Sequence, residues 1–100
     1  MNAKFNEIIN QNQLVLVDFY ADWCGPCKMM SPILQETKTA VKDDVKIIKI
    51  NVDQHQDLAS EFMVKGVPTF LLFKKGKMLW RQSGILSKNQ LIEIINQHKS

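Results

Sequence analysis

The run Leu14-Val15-Leu16-Val17-Asp18-Phe19-Tyr20 is apolar but for Asp18 and rich in strand-forming residues. A strand built from it has no polar face to turn to solvent. It therefore belongs in a sheet covered on both sides, as parallel strands usually are. The flanking segments read as elements able to cover such a sheet. Phe5, Ile8 and Ile9 recur at helical spacing before the run, giving a short amphipathic helix. After it, Pro26 lies where a first helical turn tolerates proline, and Met30, Ile33, Leu34, Thr37 and Val41 continue the helical period. Pro32 sits inside that pattern and should kink the helix. Val45 to Val52 is a second strand, and Leu58, Ala59, Phe62 and Met63 mark a third helix that Gly66 is placed to end in a left-handed cap. Thr69 to Phe73 and Met78 to Trp80 form a hairpin about Lys75-Gly76. Ser87 with Gln90 makes a capping box for a last helix carrying Leu91, Ile94 and Ile95. The order predicts an α/β fold: a central mixed sheet of about four strands, with a parallel part and an antiparallel hairpin, and helices on both faces.

A chain of 100 residues is one domain by length, 1–100, and long enough to bury a core without covalent staples. No stretch approaches the roughly 20 apolar residues of a membrane helix. The start, Met1-Asn2-Ala3-Lys4-Phe5-Asn6-Glu7, has neither the apolar core nor the small-residue cleavage site of a signal peptide, so a cytoplasmic location is expected. The net charge of +3 is spread along the chain apart from Lys74, Lys75 and Lys77 around a turn, which argues for a solvated surface and against nucleic-acid binding.

The chemistry is concentrated in two cysteines, Cys24 and Cys27, separated by Gly25-Pro26. A structural disulfide closing so small a loop would contribute only about 2 kcal/mol. A redox role uses the position better. Cys24 follows a strand and stands at a helix start, where backbone amides lack intrahelical partners and carry partial positive charge. A thiolate there is stabilised, its pKa falls, and its nucleophilic fraction rises. Cys27 lies nearly one turn on, at an expected Cα separation of roughly 5 Å that suits a disulfide. It lies deeper in the helix and should be the more shielded. Cys24 is thus expected to attack a substrate disulfide and Cys27 to resolve the mixed disulfide, with Pro26 stiffening the turn. A structural zinc site needs more ligands than one cysteine pair supplies, and His55 and His98 stand apart among polar neighbours, so no metal is expected. Met29, Met30 and Met63 read as core filler, and Trp80 as an ordinary strand residue.

The segment Phe19-Tyr20-Ala21-Asp22-Trp23-Cys24-Gly25-Pro26-Cys27-Lys28 resembles the active-site segment of the thioredoxin family. The resemblance runs from about Phe5 to the end, through Pro32, Asn51-Val52-Asp53, Gly66-Val67-Pro68-Thr69, Phe73-Lys74-Lys75-Gly76 and Gly84. It implies a thioredoxin-like fold and a protein-disulfide reductase acting by dithiol exchange, with Trp23, Gly25 and Pro26 in the active-site turn. It implies that Asp18 exchanges a proton with Cys27, which a carboxyl raised in pKa by burial suits; the plainer alternative is a satisfied strand carboxylate. It makes Lys49 the partner of that acid, against the alternative that Lys46 and Lys49 guard an exposed strand edge. It makes Pro68 a cis-proline facing the dithiol, where an isolated X-Pro bond would favour trans. Trp23, Gly66, Val67, Pro68 and Gly84 would then form the substrate-docking surface.

The sequence departs from the family pattern in three places. The first family strand has no counterpart, which leaves the Val45–Val52 strand nearer an edge. Tyr20 stands where many members have tryptophan, and Ile85 follows Gly84 where smaller residues are common. The resemblance further implies a monomer recharged by a thioredoxin reductase, with NADPH and FAD held by that partner; this chain has no Gly-rich dinucleotide loop and needs no bound cofactor. Disulfide-containing proteins would be the substrates, with no membrane partner. An oxidase or isomerase of the same chemistry and a binding subunit with a dispensable dithiol are the competing functions.

Overall fold

The computed structural model describes residues 2–99. Asn2 caps a first helix, α1 (Ala3–Ile9), by accepting a hydrogen bond from the Phe5 amide at 2.9 Å. The apolar run becomes β1 (Leu14–Tyr20), buried at every position but Tyr20. It is followed by α2 (Gly25–Val41) and a 3-10 turn (Lys42–Asp44). Then come β2 (Val45–Asn51), α3 (Gln56–Glu61), β3 (Thr69–Lys74), β4 (Lys77–Ser83) and α4 (Lys88–His98).

The strands form one mixed sheet in the order β2-β1-β3-β4. β1 runs parallel to β2, from Leu14 opposite Val45 to Tyr20 opposite Asn51. It runs antiparallel to β3, and β3 antiparallel to β4. The antiparallel part is thus larger than the single hairpin expected. Alternation along β1 decides which core each side chain joins. Leu14 and Leu16 pack with Met30, Leu34 and Val41 of α2 and Leu91 and Ile95 of α4. Val15, Val17 and Phe19 pack with Phe5 and Ile9 of α1 and Leu58 of α3. By the same alternation Asp18 falls on the α2 side of the sheet, with Leu14 and Leu16.

Local chemistry sets the boundaries. α2 runs unbroken through Pro32, and the Lys38 ammonium closes its C-terminal end by donating to the Lys42 and Val45 carbonyls at 2.7 and 2.6 Å. The hairpin turn takes positive φ at both Lys75 (55°) and Gly76 (79°), the twist that suits a two-residue connection between antiparallel strands. The Ser87–Gln90 capping box is closed in both directions.

The left-handed cap expected of Gly66 is not formed. α3 ends at Glu61, and the left-handed residue is Met63, at φ 51°. The Arg81 guanidinium of β4 reaches this segment and donates to the carbonyls of Phe62 and Met63 at 2.7 and 3.3 Å. A tertiary contact therefore fixes the helix end that a local glycine signal was expected to fix. Met63 is consequently 69% exposed and Met29 60%, so of the three methionines expected in the core only Met30 is there.

Candidate functional site

The end of β1, the start of α2 and the segment before β3 meet at one corner of the sheet. Cys24 is the N-cap of α2, in extended backbone, and its Sγ accepts a hydrogen bond from the Cys27 amide at 3.1 Å. Gly25 and Pro26 occupy the first helical positions, where proline's missing amide costs nothing. Cys24 and Cys27 form a disulfide, with Cα atoms 5.3 Å apart, as their spacing predicts. The expected difference in shielding is not present: the two residues are 3% and 4% exposed. What separates them is position. The Cys24 sulfur sits at the positive end of the helix and receives its amide, whereas Cys27 contributes that amide.

The segment carrying Gly66, Val67, Pro68 and Thr69 passes the disulfide. The Val67–Pro68 peptide is cis, as the resemblance implied. The Val67 carbonyl oxygen lies 3.7 Å from the Cys24 sulfur. Thr69 Oγ1 donates to the Gly66 carbonyl at 2.6 Å and lies 2.8 Å from Ser83 Oγ. The Gly84 amide donates to the Pro68 carbonyl at 2.9 Å, with Gly84 at φ 97°, a conformation that glycine adopts freely. These bonds bring Gly66, Val67, Pro68 and Gly84 together beside the dithiol.

Trp23, next to Cys24, is 71% exposed, and its indole N–H donates to Asp53 Oδ2 at 2.9 Å. Ile85 is also exposed at this end of the molecule, next to Gly84. The Asp53 and Thr69–Ser83 contacts had no assigned role in the sequence. The trace of Asp53 there is the Asn51-Val52-Asp53 turn, in which Asn51 Oδ1 accepts the Asp53 amide at 2.9 Å; Ser83 leaves none.

Asp18 is buried, and neither carboxylate oxygen has a hydrogen-bond partner. Burial pushes its pKa up to about 6, the field of Lys49 opposing that rise. The alternative of a satisfied strand carboxylate does not match this geometry. Lys49 is the register partner of Asp18 across the β1–β2 ladder, but no direct ion pair forms. Among the described residues the salt bridge within 4 Å is Lys99–Asp44. The Lys49 ammonium instead stands 4.7 Å from the centroid of the Tyr20 ring and 3.4 Å from Ser31 Oγ. Among the described residues no group of three His, Cys, Asp or Glu could hold a metal, and no helix is long and apolar enough to cross a membrane.

Comparison with known proteins gives the following. A family model described as Thioredoxin matches residues 1–97. The thioredoxin of Haemophilus influenzae is 45% identical over 98 residues, 97% of this chain and 92% of that protein. Thioredoxin Y2, chloroplastic, of Arabidopsis thaliana is 45% identical over 93 residues, 92% of this chain; the match spans 56% of that longer relative. The crystal structure of mitochondrial thioredoxin 3 from Saccharomyces cerevisiae, in its oxidized form, superposes with a TM-score of 0.85 at 39% identity, covering 94% of this chain and 87% of that one.

Proposed function

This chain belongs to the thioredoxin family and is a thiol–disulfide oxidoreductase; on that premise we propose that Cys24 attacks, and Cys27 resolves, in its reduction of protein disulfides. The observation carrying this assignment is the hydrogen bond from the Cys27 amide to the Cys24 sulfur at the start of α2. In the reduced protein the same amide and the helix dipole favour a thiolate at Cys24. That thiolate attacks one sulfur of a substrate disulfide, forming a mixed disulfide and expelling the other substrate sulfur as thiolate. Cys27, deprotonated, then attacks Cys24, releasing the second substrate thiolate and closing the disulfide of the present structure. Asp18 is suited to take the Cys27 proton: a carboxyl with a pKa near 6 is ionised at neutral pH yet basic enough to accept it. The Val67 carbonyl near Cys24 and the rim of Trp23, Gly66, Pro68 and Gly84 are suited to hold an extended substrate backbone. The residues this chemistry uses lie within a single thioredoxin-like domain, 1–100.

The redox group is the disulfide itself. Electrons are supplied by a flavin- and NADPH-dependent thioredoxin reductase, and the protein works as a cytoplasmic monomer. The test is trapping together with the reduction potential. Cys27→Ser should accumulate mixed disulfides with substrate, and Cys24→Ser should form none. A potential below about −240 mV supports a reductant, and one above about −180 mV makes the chain an oxidase or isomerase and overturns the direction and the compartment together.

A further inference from the structure

Asp18 and Lys49 leave the same face of the sheet from paired positions, yet their charges do not meet. A buried carboxyl with both oxygens unpartnered should attract any cation within reach. Two other side chains hold this one. Tyr20 lies two residues after Asp18, on the same face of β1, and places its ring under the Lys49 ammonium. Ser31 lies four residues after Cys27 on α2, on the cysteine's side of the helix, and its hydroxyl accepts from the same ammonium. Tyr20, Ser31 and Lys49 line, with Ala21, Asp22, Cys27 and Lys28, a cleft of about 200 Å³. The lysine thus stands in the wall of an opening that reaches the resolving cysteine.

We propose that Tyr20 and Ser31 are positioning residues that clamp the Lys49 ammonium at the mouth of this cleft, off the Asp18 carboxyl, and so leave Asp18 free to exchange a proton. The inference rests on reading Asp18 as the proton partner of Cys27. An acid locked in a direct ion pair is held ionised and is a poor base. A cation kept at a distance weakens the effect of burial without cancelling it, in keeping with an Asp18 pKa near 6 that burial raises and Lys49 lowers. The charged groups at the cleft besides Lys49 are Lys28 on α2 and Asp22 in the connecting loop, Cys27 being held in the disulfide. Lys38 shares the adjoining groove with Lys49. On its other side Asp18 is paired with Phe70 of β3, which carries no charge.

The test is an NMR titration of the Asp18 side-chain carboxyl in the oxidised protein, with the Lys49 ε-methylene shifts reporting whether the Tyr20 ring still covers them. Tyr20→Leu should abolish the ring-current shift and lower the Asp18 midpoint by roughly half a unit or more, as the freed lysine turns to the carboxylate. Ser31→Ala should move the midpoint the same way by less, and Tyr20→Phe should leave it in place. Lys49→Met should raise it and erase the effect of Tyr20→Leu. An equal fall with Tyr20→Leu in the Lys49→Met background would assign the effect to water reaching Asp18 and overturn the clamp. So would an unmoved midpoint in Ser31→Ala, which keeps the test open if Tyr20→Leu does not fold. The reading beneath it fails separately: an Asp18→Asn protein resolving mixed disulfides at full rate would remove the proton role, while the titration still measures the clamp.

Discussion

α2 and α4 each begin with a side chain that accepts the amide three residues on, but the accepting atom is a sulfur at Cys24 and an oxygen at Ser87. At α4 the arrangement is reciprocal, since Gln90 Oε1 accepts the Ser87 amide at 2.8 Å, and the box stands exposed. Its groups are neutral at every accessible pH and have nothing left to do but hold the helix end. At α2 the residue in Gln90's place is Cys27, joined to the cap by the disulfide, and the Cys24 amide donates instead to the Ala21 carbonyl at 3.2 Å; neither helix has an acidic residue in its first turn, and the cap is buried. The positive end of α2 is therefore free to act on an atom whose charge changes with oxidation state. One backbone geometry ends a helix in one place and bears on a redox-active sulfur in the other; the difference lies in the chemistry of the capping atom and in whether water reaches it.

The largest effect should come from making the two caps alike. Cys24→Ser keeps an accepting atom at the start of α2, so the fold should persist, yet disulfide reduction should fall at least about a thousand-fold with the loss of the nucleophile. Turnover with a model disulfide protein measures it, and residual turnover near the parent level would refute the assignment.

Next is the buried acid beneath α2, which has no counterpart at α4. Folding raises the Asp18 pKa from 3.8 to about 6, so the native state binds this proton more tightly than the unfolded chain. Stability contributed by the neutral acid is full below pH 3.8 and is lost as pH climbs to about 6; above that the cost stays constant. At about 1.4 kcal/mol per pH unit the loss is about 3 kcal/mol. Asp18→Asn should therefore be more stable than the parent by about that amount at pH 8 and equal to it below pH 4. Urea unfolding at both pH values checks this, and a gain of the same size at low pH would contradict it.

Ser87→Ala should cost about 1 kcal/mol at any pH and leave turnover untouched. A drop in reductase rate in that variant would mean that the two helix ends are coupled. Smallest is Trp23→Phe, which removes an exposed bond to Asp53 and should change stability by less than about 0.5 kcal/mol while raising KM for protein substrates.

What the sequence made legible was what local pattern controls. β1, the proline-tolerant start of α2, the Lys75–Gly76 turn and the capping box at Ser87 each depend on residues within a few positions of one another, and each formed as read. The disulfide spacing followed from helical geometry alone. The features that differed depend on residues far apart in sequence. Met63 takes the left-handed conformation expected of Gly66 where Arg81, from another strand, binds its carbonyl. Cys27 is no better hidden than Cys24, because Val67, from far along the chain, packs against the pair and sets its carbonyl beside the Cys24 sulfur. Lys49 faces Asp18 in register but is diverted by Tyr20 and Ser31, a competition visible only once α2 lies on the sheet. The exposure of Met29 and Met63 follows likewise from which side of a packed helix or loop end they occupy.

β1 borrows its neighbours from far along the chain: Leu14 pairs with Val45 on one side, and Val15 with Phe73 on the other. During synthesis the most apolar strand emerges early and waits for both. Its second flank stays open until the ribosome has released β3, well past the dithiol and α3. For that interval the nascent chain exposes a bare apolar edge, the kind of template on which strands of separate molecules pair wrongly. The strand that carries Asp18 is thus also the one a growing polypeptide of this sequence leaves open longest on its second flank.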